Sequence, residues 1–480
     1  MSKAKETRLF KTVIFGVVIY VLLVALFYFL FGNQLKYRGI DSSIQMVAST
    51  TPVGEILKGS SIKQSFLVEE NAIDGFSLKF ATYNRHNTGT VTVQLIDEAK
   101  RNILFEKKLD VSYLKDNSEV ALHLDKPVED VSEKVLSLYI FSETGTEGNA
   151  VTLWYNNQEK RKNQSLYINN KLVDGVLSFS VSEKRVVSFS TNYFLGTGII
   201  GLLIILYGIN LFIKQRTGKH SFGLNLSNAL IKYKFLLRQL VLRDFKTKYK
   251  RSFLGVLWSF LNPILTMIVQ YIVFSTIFKS NIENFMVYLL IGIVLFNFFL
   301  ESINMGLMSI VDNSSLITKV YIPKYIFPVS RVLSSTINLM ISLIPVLIVV
   351  LITHTHITWA LLLLPFSIVC TVVFCIGISL ILSSAMVFFR DTQFLWNVVS
   401  MLWMYCTPIF YPESIIPEKL LVILKMNPMY HFIRFSRTAI MEGVSPEPKA
   451  YLLCAIAAVV PLIIGVIIFK KTQDKFVLNI

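Results

Sequence analysis

Thr12 to Gly32 form an uninterrupted run without a single charged side chain. At about 1.5 Å of helix per residue, such a run reaches across the roughly 30 Å hydrocarbon core of a bilayer. A second run covers Tyr193–Ile213, and six further apolar spans follow at about 253–278, 285–310, 326–352, 359–388, 392–410 and 449–469. No soluble core absorbs that much helix that is apolar on every side. Composition agrees, because only 16% of the residues are charged, against about 25% in a soluble domain. The pattern predicts an α-helical polytopic membrane protein with about eight transmembrane helices.

The formal charge is +16, and its distribution says where it belongs. Residues 33–192 hold 19 basic and 20 acidic side chains, leaving 28 basic and 11 acidic for the rest of the chain. The excess therefore accompanies the apolar part, which argues for membrane lipids and against nucleic acid. Lys3, Lys5, Arg8 and Lys11 precede the first run, and Lys214, Arg216 and Lys219 follow the second. Lys470, Lys471 and Lys475 follow the last. The positive-inside rule then puts both termini in the cytoplasm and residues 33–192 outside the cell. Of the 28 bases, 21 fall on the inner side, 6 on the outer side, and Arg331 within a span. The first run lacks the short core and small-residue cleavage site of a removed signal peptide, so it reads as an uncleaved anchor. Cys370, Cys375, Cys406 and Cys454 all lie in apolar runs. An outer block without cysteine has no disulfide framework, which fits a bacterial plasma membrane.

Residues 33–192 alternate apolar and polar side chains in short runs such as "TVTVQLID" and "KVLSLYIFS", separated by turn signals such as "NTG" and "TEGN". Period-2 alternation at this spacing predicts an antiparallel β-sandwich. Trp154, Tyr83 and Tyr139 are available there to stack on sugar rings, with packing in the core or a turn as the alternative. Past a linker, residues 221–252 carry Lys232, Lys234, Arg238, Arg243, Lys246, Lys248, Lys250 and Arg251, with Phe235, Leu236, Leu240 and Phe245 interleaved at roughly helical spacing. A basic amphipathic helix lying on the inner membrane surface is expected. Residues 411–448 hold two stretches too short to span, broken by Pro417 and Pro428, and read as re-entrant elements beside a polar path.

Much catalytic chemistry is missing. No G-x-x-x-x-G-K-[ST] phosphate loop occurs, nor an H-E-x-x-H zinc motif. His354 and His356 share a short loop, where a solvated turn competes with a weak metal signal. Glu301 is the one acid well inside a span. It reads as a functional carboxylate for a proton, ion or polar substrate, or else as a structural hydrogen bonder. Asp391 beside Arg390 reads as a local charge pair at the inner interface.

Residues 235–263, "FLLRQLVLRDFKTKYKRSFLGVLWSFLNP", resemble the entry signature of the membrane subunits of polysaccharide and teichoic-acid exporters, the type-2 ABC export permeases. The matching positions are Arg243, Asp244, Lys246, Tyr249, Ser252, Leu254, Gly255, Trp258 and Pro263. Five more pieces follow in order: "GIVLFNFF" at 292–299, "NSSLITKVYIPKYIFPVS" at 313–330, "FFRD" at 388–391, "TPIFYP" at 407–412 and "NP" at 427–428. The resemblance covers about 221–480. Residues 1–220 lie outside it, and their jelly-roll-like pattern is similar to carbohydrate-binding modules.

The resemblance implies a six-helix permease core over 253–480 that works as a homodimer, each copy bound to a separate cytoplasmic ABC ATPase. ATP and Mg would sit on that partner, with no cofactor on this chain, and the cargo would be a lipid-linked glycan. A coupling helix would occupy Asp312–Lys324, with Asp312, Asn313, Lys319 and Lys324 flanking Leu316, Ile317, Val320 and Tyr321, which would fill a groove in the ATPase. The basic helix would be the family's gate helix, and Arg243, Lys246, Lys248 and Arg251 would meet the lipid's phosphate, or else anchor the helix to the membrane. Trp258, Phe260, Tyr405, Phe410 and Tyr411 are candidate channel aromatics, with packing and interfacial belts as alternatives. Two other classes are weaker. A membrane-embedded glycosyl- or acyltransferase would show paired acids or a His near a membrane face, and acids outside 33–192 are few and scattered. A sensor would leave the six-span module unused.

Overall fold

A computed structural model describes residues 2–39, 44–186, 189–217, 221–250, 255, 257–278, 284–320, 322–353, 355 and 357–479. It forms two compact units, Ile14–Ile205 and Met1–Val13 with Leu206–Ile480.

The first unit carries the strands. They are β1 (Tyr37–Gly39), β2 (Thr51–Pro52), β3 (Ser61–Leu67), β4 (Ala72–Ala81), β5 (Thr90–Asp97), β6 (Asn102–Asp110), β7 (Ser118–Glu129), β8 (Val135–Ser142), β9 (Thr152–Asn156), β10 (Gln164–Ile168), β11 (Lys171–Val173), β12 (Val176–Leu177) and β13 (Phe179–Val186). One sheet runs β1-β13-β4-β9-β12, with β2 on β9 and β7 on β4, and the other runs β11-β10-β3-β8-β5-β6. All the pairings between these strands are antiparallel. The chain changes sheet at eight of the twelve connections between these strands, so the two sheets are built from interleaved segments.

The period-2 pattern explains which face is inside. In β3, Ile62, Gln64 and Phe66 are buried while Lys63 and Ser65 point away. Phe66 meets Phe179 of the opposite sheet at 5.4 Å, and Phe76 meets Phe105 at 5.8 Å. Gln64 is the polar exception among the inward residues of β3. Its Oε1 accepts from the Leu177 N–H at 3.0 Å, and its Nε2 donates to the Ser65 carbonyl at 3.1 Å, so it ties the two sheets through their core. This is the β-sandwich that the alternation predicts. Two helices flank it: α1 (Ser2–Lys36) runs directly into β1, and α2 (Phe189–Arg216) follows β13. Tyr37 of β1 is paired with Val186 of β13, so the strands that continue the two helices are neighbours in one sheet.

The second unit is helical: α3 (Phe222–Tyr249), α4 (Leu257–Phe278), α5 (Phe285–Met308), α6 (Ser314–Lys319), α7 (Ile326–Ile352), α8 (Leu364–Phe388), α9 (Thr392–Tyr405), α10 (Glu418–Met426), α11 (Pro428–Arg437), α12 (Pro448–Thr472) and α13 (Phe476–Asn479). α5 packs against α4, α7, α8, α9 and α11 and is buried nearly all round. α8 and α12 approach closely, because Gly377 lets their backbones touch. A Cβ there would lie 2.5 Å from the Leu462 nitrogen and from the Pro461 carbonyl carbon.

Among the described residues, seven helices are long and apolar enough to cross a membrane. The structure differs from the sequence reading at the span expected over 392–410. There α9 stops after 14 residues, a rise of about 21 Å, short of a bilayer core. Pro408 cannot donate to continue the ladder. The Thr407 hydroxyl and the Cys406 carbonyl instead accept from the Asn427 amide at 2.8 and 3.3 Å. Asn427 also caps α11, accepting from the Met429 N–H at 3.0 Å, with Pro428 at the first helical position. The short α10 and α11 are the elements that Pro417 and Pro428 mark in the sequence.

Candidate functional site

The buried face of α3 presents Tyr233, Leu236, Leu237, Leu240 and Asp244, which recur with helical period, to a cluster that includes Ile310, Ile317, Ile326 and Phe327. Asp244 thus places a carboxylate, its side chain 4% exposed, in largely apolar surroundings, where a charge needs a partner. Arg331 of α7 supplies it at 3.3 Å, and Arg243 approaches the same oxygen at 3.0 Å. The other Nη of Arg331 lies 3.3 Å from Asp312, in the connection after α5. Arg243 also donates to the Asn313 side-chain oxygen at 3.4 Å, and the Asn313 amide donates to the Ser309 carbonyl at 2.7 Å. One arginine therefore joins α3, α7 and the α5–α6 connection.

One helical turn further along α3, Lys248 pairs with Glu301 of α5 at 2.8 Å. The Asn338 amide of α7 donates to the same carboxylate at 2.6 Å, and the Tyr249 hydroxyl donates to the Asn338 oxygen at 2.9 Å. Tyr249 is also hydrogen-bonded to Ser259 of α4. Four helices meet in this lattice, and Asp244 and Glu301 each have a basic partner on a different element. A shift of the α5–α6 connection against α3 must break or exchange these bonds, which is what a mechanical relay requires.

The opposite end of α5 holds a second polar seam. The Arg437 guanidinium lies 3.3 Å from the Tyr288 ring centroid and donates to the carbonyls of Tyr288 (3.1 Å), Pro408 (2.7 Å) and Ile409 (3.1 Å). Tyr430 donates to Glu413 at 2.9 Å and accepts from Arg434 at 2.7 Å. These bonds hold α11 and the 408–413 connection against the start of α5.

A model of the family described as "ABC-2 type transporter" matches residues 236–441. The chain is 31% identical over 255 residues to the O-antigen export system permease protein RfbA of Myxococcus xanthus, covering 53% of this chain and 98% of that protein. The chain belongs to the ABC-2 type transporter family. It is also 31% identical over 237 residues to an RfbA of Klebsiella pneumoniae, covering 49% and 90%. The polysialic acid transport protein KpsM of Escherichia coli is 23% identical over 253 residues, covering 50% and 95%. The whole lattice falls inside the ABC-2 match, and the β-sandwich falls outside it.

Against this ABC-2 frame, the coupling-segment residues divide. Ile317 is buried in the chain's own cluster with Leu240 and Phe476, so it does not face a partner groove. The reason is the cluster itself, to which α3 and α13 contribute Leu240 and Phe476. Leu316 is partly buried against the same cluster, while Val320 is 48% exposed and Lys319 is exposed. Asp312 and Asn313 belong to the lattice, and Lys324 bonds elsewhere, to the Gln473 carbonyl. Tyr321 lies outside the described residues, as do Arg251, His354 and His356. Of the bases expected on a gate helix, Arg243 and Lys248 already have acid partners. Lys246 is exposed and makes no ion pair among the described residues. Glu301 is an ion-paired carboxylate within the lattice.

The five candidate channel aromatics separate into two groups. Phe410 is buried and stacked on Phe274 at 5.3 Å, and Tyr411 accepts from Tyr288 at its carbonyl while its hydroxyl donates to the Tyr405 carbonyl. Trp258 is exposed and Phe260 half-buried, both near the start of α4, about 21 to 24 Å of helix from Phe274. In the sandwich, Trp154 and Tyr83 come to one loop cluster. The Trp154 indole donates to Asn117 at 2.8 Å, the neighbouring Asp116 accepts from the Thr82 N–H at 2.6 Å, and Arg85 lies over the Tyr83 ring at 4.8 Å. Tyr139 is elsewhere. It stands on the outer face of the second sheet in a registered row Tyr167–Lys63–Tyr139–Gln94–Glu106 across β10, β3, β8, β5 and β6.

Sequence reasoning did not assemble Arg331, Asp244, Asn338 and Tyr249 into one site. The signal was present, since Arg331 is the one base that the charge rule leaves within a span, and such a base needs a partner. Arg437 carried no comparable mark.

Proposed function

We propose that this chain is the membrane subunit of an ATP-driven exporter that moves a lipid-linked cell-surface polysaccharide or teichoic-acid-like glycan across the plasma membrane. It works as a homodimer, each copy docked on a separate cytoplasmic ABC ATPase that binds the ATP and Mg. The names of the relatives support glycan export, and the basic inner flanks support cytoplasmic termini with the sandwich outside. An even number of crossings requires α9, together with the irregular stretch after it, to cross.

The observation that carries the mechanism is Arg331 held between Asp244 and Asp312. Closure of the ATPases displaces the coupling segment, Arg331 transmits the displacement to α3, and α3 moves at the inner mouth. Lys246 and Arg243 meet the lipid's phosphate there. The sandwich receives the emerging glycan, with Trp154, Tyr83 and Tyr139 as stacking residues. Deleting 40–190 while keeping both anchors tests that role, and unchanged export and chain length would remove it.

The experiment for the whole reading is purification of the tagged chain in mild detergent with mass spectrometry of stoichiometric partners. A soluble chain with a phosphate loop at 1:1 is expected. Repeated purification alone, even after crosslinking at Asp312–Lys324, refutes the exporter.

A further inference from the structure

The chain does not run free after α12. A single 3-10 turn, Gln473–Lys475, joins it to α13, and Phe476 is fully buried. Its ring meets Phe469 at 5.3 Å and Phe388 at 6.0 Å, both edge-on. Lys324, at the end of the coupling segment, donates to the Gln473 carbonyl at 2.6 Å and lies 5.8 Å from the Phe476 ring. α13 packs on both α6 and α8. The tail and the coupling segment are thus bolted together at the same end of the helical unit.

We infer that Gln473–Asn479 forms, with Val320 and Lys319, one continuous docking surface for the ATPase. The inference rests on the exporter reading. The anchor fixes Phe476 inward, so the next side chains are held outward: Leu478 is 85% exposed, Val477 is exposed, and Val320 is exposed on the adjoining segment. These apolar groups are accompanied by the exposed Lys319 on the segment and by Lys470, Lys471 and Lys475 on the tail, where Asp474 is the one acid between residues 470 and 479. An apolar centre with a basic rim fits a groove that is apolar at its floor and acidic at its edge. A lipid surface shares that charge preference. However, two apolar side chains on one helical turn bury too little to hold a membrane, and the tail is tied to the element that meets the ATPase.

The test uses the full chain co-purified with its ATPase, comparing Leu478→Asp, Lys475→Glu and Val320→Asp. Readouts are ATPase retained across a salt titration, the melting temperature of the permease, and binding to vesicles of anionic phospholipid. Leu478 and Lys475 are exposed, so both tail variants should melt normally. L478D should weaken ATPase binding about tenfold, the scale of one lost apolar side chain, and K475E should flatten the salt dependence. If both tail variants retain the ATPase while V320D loses it, the tail has no part in docking and the exporter reading stands. If all three retain it, the coupling segment falls as well. If the tail variants lose vesicle binding but not the ATPase, the surface belongs to lipid and the inference is overturned.

Discussion

Arg331→Met removes the cation that joins Asp244 to Asp312, and its cost follows from exposure. Asp244 would keep only Arg243, whose side chain is about half exposed at 49%, while Arg331 itself is 18% exposed. Removing one partner of a fully buried pair costs about 3–5 kcal/mol. With Arg243 still at 3.0 Å, the expected loss falls to about 2–3 kcal/mol. Asp312 is 44% exposed, so Asp312→Asn should cost less than about 1 kcal/mol. The double variant Arg331→Met with Asp244→Asn leaves no buried charge unpaired. It should recover about 1–2 kcal/mol relative to the sum of its single changes. Reversible denaturation of the full chain in mixed micelles, followed by tryptophan fluorescence, supplies the four stabilities. Additivity within about 0.5 kcal/mol would mean that Arg331 and Asp244 do not act as a pair. A second arm separates relay from scaffold: Asp312→Asn, though folded, should lower glycan exported per ATP hydrolysed. Unchanged stoichiometry would sink the relay.

Four further outcomes follow from single contacts. Gly377→Val drives a side chain into the backbone of Pro461 and Leu462, which cannot yield cheaply. The variant should fail to accumulate as a monodisperse protein on size-exclusion chromatography. Asn427→Ala loses the cap on α11 and its bonds to Trp403 and Thr407; about 2–4 kcal/mol of stability should go with it, measured by thermal melting. Gln64→Leu strands the Leu177 N–H inside the sandwich. It should cost about 1–3 kcal/mol, and hydrogen exchange should rise in both sheets while the membrane helices stay protected. Arg85 holds the Glu55 carboxyl below its ordinary range, and the Thr82 N–H does the same for Asp116. A depressed carboxyl contributes stability that is complete above its unfolded value and lost as pH falls through the folded one. Exchange protection of the loops at 82–85 and 116–117 should therefore be flat near neutrality and decline below about pH 4, less steeply in Glu55→Gln.

What could be read in the sequence depended on whether the information was local. Apolar runs and period-2 alternation are local, so the helical unit and the sandwich, with its alternating apolar set, were both visible. Gln64 interrupts that inward apolar set, and only the opposite sheet, 113 residues away, explains it. Lys248 and Glu301 are 53 residues apart, and each was read on its own, one against a phosphate and the other for a proton, ion or polar substrate or as a structural hydrogen bonder. Together they neutralise each other. Ile317 failed as a partner-facing residue for the same reason, because the amphipathic pattern of a short segment shows a face but not what covers it. Length was misleading at 392–410, where hydropathy continued past the point at which Thr407, Pro408 and Asn427 end the helix.

The two polar seams sit at opposite ends of α5, and this arrangement bears on how the helical unit can move. Glu301 lies in one seam and Tyr288 in the other, about 20 Å apart along the helix axis. Between them α5 is enclosed by α4, α7, α8, α9 and α11, with Phe299 packed on Phe374, Trp396 and Trp403. A close-packed rod cannot bend locally without opening voids. Movement imposed at Glu301 through Lys248 therefore reaches Tyr288 as a displacement of the whole helix, and Arg437 carries it into α11. The argument requires energetic coupling between the ends. Glu301→Gln and Arg437→Lys, far apart and without shared partners, should nevertheless be non-additive in export rate. Strict additivity, with both variants folded, would mean that the seams work independently and that α5 is scaffold alone.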